Sequence, residues 1–345
     1  MKISSVAYSA PSWKVSNQDL LTFIDKSNPK VSPLKKKPYL KIVEKLLNQT
    51  GAVSRYWRDP NIKEKASDLI LSAIEKSLTQ ANLVATDIDL LIYCGVGRGF
   101  LEPANAYFYA NASGMHTANC FDVTDACMSW IRAAQIAQLM MNSGAFKRVM
   151  IINGEFHLGF HDNWDIRDIR TLEYSFPMYT IGEAATATIL EPGGDDWTFA
   201  YSSKPEFSDL CTIPLPSHKN FVEPSDKISH NGIYRFVSYG RELFQQGVIC
   251  LGELVQDTIK DAKQNVLYFP HAPSKKVYEE EMPKYGIPAE KIYLEVYPEF
   301  GNLVSASIPV GLSRAAKAGQ IKRGDPIALI PASAGLVSSV VQLIF

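Results

Sequence analysis

Residues 91–96 read LIYCGV and residues 266–271 read VLYFPH. Both are short apolar runs, and they lie at an offset of 175 residues. At that same offset SGAFKR (143–148) falls on AGQIKR (318–323), and Cys127 falls on Asn302. After a small insertion, VMII (149–152) corresponds to IALI (327–330). One matching window means little, but three at a single offset indicate a duplicated unit. Gly144 and Gly319 stand where each repeated helix should end, since glycine accepts the left-handed conformation that closes a helix. The apolar run in TATILEPGGDDW (186–197) gives way to Pro-Gly-Gly, a chain breaker. The halves are therefore expected at 1–192 and 193–345.

The repeated unit is α/β. EKASDLILSAIEKSL (64–78) sets Ala66, Leu69, Ile70, Ala73, Ile74 and Leu78 at helical spacing. IDLLIYCG then reads as a short buried strand. DACMSWIRAAQIAQLMMNSG (125–144) is apolar on almost every side, as expected of a helix buried within the protein. RVMIING follows as another buried strand. This alternation predicts a parallel or mixed sheet with helices on its faces.

Composition narrows the function classes. The chain has 345 residues, enough for a sizeable core in one large domain or two. A formal net charge of −1 gives no reason to expect nucleic acid or an anionic membrane as partner. No apolar run reaches the length of a membrane span, and MKISSVAYSAPSW lacks the continuous apolar stretch of a signal peptide. The five cysteines are scattered and odd in number, which suits a reduced, cytoplasmic chain. There is no CxxC, HExxH, GxGxxG or GxxxxGK[ST], so neither a metal nor a nucleotide cofactor is expected.

Three residues carry candidate chemistry. Cys127 opens the central helix of the first half. A helix N-terminus offers free N–H groups and a positive dipole end, and both should favour thiolate and lower the thiol pKa. His271 directly follows the strand equivalent to the one ending at Cys94, and Asn302 opens the helix of the second half. Taken singly, a buried inert thiol, a loop histidine and a helix cap are ordinary roles. In a pseudo-twofold fold, however, equivalent helix starts converge, so the three are expected in one pocket.

These segments resemble a known family. DVTDACMSW (122–130) with GAFKRVMIINGE (144–155), VLYFPHAPSK (266–275) and FGNLVSASIPVGL (300–312) are similar to the signature regions of β-ketoacyl-ACP synthase III, in the thiolase superfamily. YTIGEAATATILEP (179–192) and the closing PASAGLVSSVVQLIF (331–345) resemble that family too. The resemblance implies a five-layered α/β/α/β/α fold built from two duplicated halves, and a homodimer. It implies that Cys127 is acylated and that His271 and Asn302 hold the second substrate's thioester oxygen as its enolate forms. The backbone N–H groups of Cys127 and Gly335 would form a second oxyanion hole. The substrates would be acyl-CoA or acyl-carrier-protein thioesters, with no other cofactor.

Departures from the family pattern refine the expectation. The stretch that grips CoA in the housekeeping enzymes reads EKLLNQTGAVSRYW (44–57) here, with Lys45, Gln49 and Val53 at the gripping positions. HAPS (271–274) and SAG (333–335) also differ from the usual forms. GVGRGFLEPANAYFYANASG (95–114) instead resembles olefin-pathway ketosynthases and bacterial α-pyrone synthases. In those relatives the glutamate at the position of Glu102 reaches the neighbouring subunit's site and acts as base. A solvated loop carboxylate is the plainer role for a Glu before Pro. The chemical need is definite: joining two acyl thioesters without loss of CO₂ requires removal of an α-proton. The expected activity is a non-decarboxylating Claisen condensation in secondary metabolism, giving a β-keto product or a pyrone. A malonyl-ACP-dependent decarboxylating synthase, a simple acyltransferase and a non-catalytic partner subunit are the rivals. Arg55, Arg58 and Lys275 are candidate phosphate or carrier contacts, and Met128 and Trp130 candidate neighbours of the substrate. Asp125 is expected to cap the helix after it.

Overall fold

The computed structural model describes residues 1–59, 61–157, 164–223 and 225–345. The chain begins with β1 (Lys2–Ser9), β2 (Trp13–Ser16), α1 (Asn17–Ser27), α2 (Pro33–Thr50) and β3 (Ser54–Trp57). It continues through α3 (Ala66–Ala81), β4 (Leu90–Cys94), α4 (Asn105–Ser113), β5 (Asn119–Val123), α5 (Ser129–Asn142), β6 (Val149–Glu155), the single-turn α6 (Leu172–Ser175) and β7 (Ala184–Glu191). After β8 (Thr198–Ser203) come the two-residue strands β9 (Cys211–Thr212) and β10 (Val237–Ser238), then α7 (Gly240–Thr258), β11 (Tyr268–Phe269) and α8 (Lys275–Glu281). The chain closes with α9 (Val296–Phe300), α10 (Ser307–Lys317), β12 (Pro326–Leu329), β13 (Ala332–Ser333) and β14 (Val337–Ile344).

Two mixed sheets organise the molecule. The first has the order β1-β7-β6-β4-β5, with β4 parallel to both β5 and β6. The second runs β11-β12-β14-β13, with β8 also on β14, and β11 is parallel to β12. Side-chain alternation along the strands assigns the layers. Leu90, Ile92, Val149 and Ile151 share one core with α5, α10, Ile327 and Leu329. Leu91, Tyr93, Met150 and Ile152 face the opposite way, onto α3 and α4. Ala328 and Ile330 turn away from the central helices onto α2, α7 and α8. The layers are thus α3 and α4, first sheet, α5 and α10, second sheet, then α2, α7 and α8. The five-layered α/β/α/β/α arrangement expected from the sequence is present. α5 is apolar nearly all round because it lies between two sheets.

The duplication has a feature that the constant offset of 175 hides. A three-residue 3₁₀ turn precedes each central helix: Ala126–Met128 before α5 and Val304–Ala306 before α10. Each turn starts at a residue with positive φ, 43° at Ala126 and 51° at Val304. The helices that follow both begin at serine, Ser129 and Ser307. The offset here is therefore 178, and Ser305 is the counterpart of Cys127. It returns to 175 at Gly144 and Gly319 because α10 has 11 residues and α5 has 14. Asn302 does not open the second helix. It lies two residues upstream of the turn.

Among the described residues no helix is long and apolar enough to cross a membrane.

Candidate active site

The parallel strands place their carboxyl ends at one edge of each sheet, where ligands commonly bind in open α/β folds. In the first sheet Cys94 is in register with Val123 and Asn153, so the loops after β4, β5 and β6 emerge together. In the second sheet the segments after β11 and β12 do the same. All five border one cavity of about 960 Å³, at the upper end of the usual range for small-molecule sites. Cys127, His271 and Asn302 line it. They come from the loop after β5, the segment after β11 and the segment before the second 3₁₀ turn, so their meeting depends on both sheets.

Cys127 sits at the centre of the first turn, N-terminal to α5. Its thiol pKa is the opposite of the sequence expectation. Burial holds it well above the ordinary range, and the neighbouring Cys211 and Glu155 push the same way. The Ser333 hydroxyl and the backbone N–H of Cys127 oppose this without overcoming it. The helix end is present, but the cavity is apolar, and loss of water disfavours thiolate more than the helix end favours it. At rest the sulfur is a neutral thiol.

His271 is 3% exposed. Burial lowers its imidazole pKa to about 4, with the Val304 backbone acting in the opposite sense. The ring is neutral at physiological pH. Its Nδ1 lies 3.1 Å from Ser307 Oγ at the start of α10.

Asn302 is fixed through its backbone and its side chain. Its N–H donates to Thr180 O at 2.8 Å, and its carbonyl accepts from Gly182 N–H at 3.1 Å. The two segments approach so closely that both neighbours must be glycine. A Cβ on Gly182 would lie 1.9 Å from Phe300 O, and one on Gly301 2.2 Å from Thr180 O. The side-chain Oδ1 accepts the Val304 N–H at 2.8 Å. An oxygen is required at that position, so the amide NH₂ is the other edge.

Glu155, assigned no role from the sequence, is a buried carboxyl in the cavity wall. It ends β6, is 3% exposed, and faces a shell of donors. Val96 N–H (3.1 Å) and Gly97 N–H (3.4 Å) reach it from the loop after β4. Ser305 N–H (3.3 Å) and the Ser305 hydroxyl reach it from the second half. Asn153 Nδ2 also donates to Ser305 Oγ at 2.8 Å, and Thr186 Oγ1 to Asn153 Oδ1 at 2.8 Å. Desolvation raises the Glu155 carboxyl to about 7 against these hydrogen bonds. A carboxylate at the end of a buried strand, in the family-like segment ending NGE (153–155), was the signal in the sequence.

Several candidates lie elsewhere. Arg55 is fully buried and outside the cavity, with Nη1 near Val15 O (3.4 Å) and Nη2 donating to Asn17 Oδ1 (2.9 Å). It is a packing residue, not a phosphate contact, because β3 turns its side chain inward. Arg58 is committed to the buried Glu183 at 3.0 Å and to His157 O at 2.7 Å. Lys275 pairs with Glu279 one helical turn on and is not among the lining residues. Met128 and Trp130 point into the central core, where Trp130 Nε1 donates to Thr188 Oγ1 at 3.2 Å. Asp125 does not cap α5; it pairs with Arg132 at 2.8 Å. Gly335 has φ 130° between the lining residues Ala334 and Leu336. Glu102 is exposed and lies outside the cavity of its own chain. Its loop is pinned by Asn105, which accepts from Gly99 N–H and donates to Phe100 O. Around it Phe100, Leu101 (79%), Tyr107 and Phe108 are exposed apolar side chains. Among the described residues no cluster of His, Cys, Asp and Glu could hold a metal ion.

Known proteins resemble this chain in sequence and fold. Residues 121–204 match the profile of 3-oxoacyl-[acyl-carrier-protein (ACP)] synthase III, and residues 260–343 that of its C-terminal region. The chain is 26% identical to the β-ketoacyl-[acyl-carrier-protein] synthase III of Symbiobacterium thermophilum over 340 residues, covering 97% of this chain and 95% of that protein. It is 28% identical to the Clostridium perfringens enzyme of that name over 303 residues, covering 85% and 88%. Its fold is similar to the crystal structure of 3-oxoacyl-[acyl-carrier-protein] synthase III from Aquifex aeolicus, with a TM-score of 0.79, 23% identity and coverage of 100% and 99%. It is also similar to Xanthomonas campestris OleA with bound lauric acid and lauroyl-CoA, with a TM-score of 0.80, 21% identity and coverage of 99% and 98%.

Proposed function

Because the chain is a condensing enzyme of the thiolase superfamily, like β-ketoacyl-ACP synthase III, we propose that it joins two acyl thioesters by Claisen condensation through an acyl-Cys127 intermediate, without loss of CO₂. The observation that carries this reading is the one cavity shared by Cys127, His271 and Asn302. In the first stage Cys127 sulfur attacks the thioester carbonyl of an acyl-CoA or acyl-carrier protein. The new C–S bond replaces the old one, and the thiol proton leaves with the departing thiolate. The exchange is proton-neutral, so a thiol that rests protonated is no obstacle. Burial favours the uncharged acyl-cysteine that results.

In the second stage a base removes the α-proton of the other thioester. Asn302 NH₂ and a His271 N–H donate to the enolate oxygen as charge develops on it. His271 Nδ1 faces the Ser307 hydroxyl, and the tautomer with its proton on Nε2 is the one that supplies this N–H. The enolate carbon attacks the acyl-Cys127 carbonyl, whose oxygen is received by the backbone N–H groups of Cys127 and Gly335. Collapse expels Cys127 thiolate, which takes back a proton, and a branched β-keto thioester leaves. Where the group on Cys127 is β-ketoacyl, the product carries a δ-keto group, whose enol oxygen can attack the thioester carbonyl, close a pyrone and expel the thiol.

The base we assign is Glu102, supplied by a second copy of the chain. Its exposed position on a loop ringed by Phe100, Leu101, Tyr107 and Phe108 supports this, since an apolar patch of that kind is normally covered. The same exposure also favours a second reading, in which a malonyl donor loses CO₂ and no base is used. The test is product analysis by mass spectrometry with acyl-CoA or β-ketoacyl thioesters and no malonyl donor. A β-keto or pyrone product carrying both chains supports the proposal. Acyl-Cys127 without a condensed product overturns the non-decarboxylating step.

A further inference from the structure

Helix α7 forms one wall of the cavity through Gly240, Phe244, Gly247, Val248 and Leu251, an i, i+4, i+7, i+8, i+11 stripe. The lining residues of α7 run from the exposed Arg241 to Leu251, which is 1% exposed. At the rise of an α-helix those ten residues span about 15 Å. The wall therefore extends from the surface to a buried apolar end.

Gly247 stands in the inner half of that wall, inside a 19-residue helix. Glycine there disfavours the helix by about 1 kcal/mol relative to alanine. Two common reasons for glycine are missing. Its φ is not positive. A Cβ added to it would meet only Ala332 Cβ and Leu336 Cδ1, both at 3.7 Å, which is ordinary contact. Gly252, five residues further on, shows the contrast: a Cβ there would lie 2.2 Å from the Tyr285 ring. Gly252 is demanded by packing, and Gly247 is not. What Gly247 leaves open is the lumen, opposite the loop that ends in the lining residues Ala334 and Leu336.

We propose that Gly247 sets the bore of the acyl channel, and that the channel takes long-chain acyl thioesters. This rests on the reading of the cavity as the site of an acyl-Cys127 intermediate. A side chain larger than methyl at 247 must enter the lumen, since Ala332 and Leu336 already occupy the other directions. It would shorten or narrow the channel and leave the nucleophile untouched.

The test compares wild type with Gly247→Ala and Gly247→Leu. Acylation of Cys127 is followed by intact mass spectrometry with a series from butanoyl-CoA to hexadecanoyl-CoA. Gly247→Leu should lower the hexadecanoyl rate relative to the butanoyl rate by about tenfold or more, the scale of misfit in an apolar pocket. Gly247→Ala should shift the ratio less and raise the melting temperature, and it carries the test if the leucine variant does not fold. Equal effects at every chain length overturn the proposal. Binding of a hexadecyl-CoA thioether, measured by calorimetry, separates the two layers of inference. If wild type binds it and Gly247→Leu binds it at least about tenfold more weakly, the channel stands even where Cys127 proves not to be acylated. Unchanged binding in the variant overturns it.

Discussion

Asn302 accepts the backbone N–H of Val304 on its side-chain oxygen at 2.8 Å, which leaves its amide NH₂ as a donor on the cavity side. Asn302→Asp keeps that acceptor, loses the donor, and puts negative charge where the enolate forms. Condensation should fall by about 10²–10³, the usual effect of removing one such donor. Acylation of Cys127 should persist. Rapid-quench kinetics with separate readouts of protein-bound acyl group and product check this, and equal loss of both steps would contradict the assignment.

The Cys127 thiol should react slowly for a cysteine at a helix start. Burial and the neighbouring Cys211 and Glu155 hold its pKa well above the ordinary value. Alkylation by iodoacetamide at pH 7 should be slower than that of free cysteine and should keep rising with pH beyond the free-thiol range. Cys127→Ala should abolish the acyl adduct. Alkylation faster than free cysteine at neutral pH would show that the helix end outweighs burial after all.

Glu102→Gln should leave acylation intact and slow condensation by about 10²–10⁴, the range of general-base effects. Mixed dimers made from Cys127→Ala and Glu102→Gln subunits should recover activity, because one site then combines an intact thiol with an intact carboxylate from the other chain. Unchanged condensation in Glu102→Gln would return Glu102 to the role of a loop residue and favour the malonyl-dependent route.

Glu155 and His271 should give opposite pH slopes in stability. The folded-state carboxyl of Glu155 is raised to about 7 from an ordinary 4.5. Its contribution is therefore complete below pH 4.5 and is lost as pH rises through 7. His271 is depressed to about 4 from 6.5, so its contribution is complete above pH 6.5 and is lost as pH falls towards 4. Glu155→Gln disturbs the donor shell and should be less stable than wild type at low pH. The difference in melting temperature should shrink as pH rises from 5 to 8. A constant difference across that range would mean that Glu155 is ionised throughout.

The two α/β repeats and the doubly packed central helix were legible because duplication and alternation are both one-dimensional signals, whereas the five layers followed from the family resemblance. LIYCGV against VLYFPH revealed the repeat, and the continuous apolarity of α5 revealed a helix packed on both sides. The register of the repeat was not legible near the nucleophile. α10 is three residues shorter than α5, and nothing in the offset of 175 shows where the missing turn falls. Cys127, His271 and Asn302 were found as chemistry-bearing types next to strand or helix ends. Arg55, Met128 and Trp130 were misplaced because the direction of a side chain at a strand or 3₁₀ turn depends on which face the rest of the molecule buries.

The sequence by itself determined the two α/β repeats, their order, and the residue types available to a thioester-condensing site. Those properties follow from local periodicity and from the chemistry of single side chains. Only the tertiary structure decided that Glu155 is enclosed by donors from both halves, that the Cys127 thiol is pushed up and not down, and that Gly247 borders a lumen. Each of those depends on which atoms from distant segments replace water around a group. Desolvation is a property of the assembled surroundings, and no stretch of sequence carries it alone.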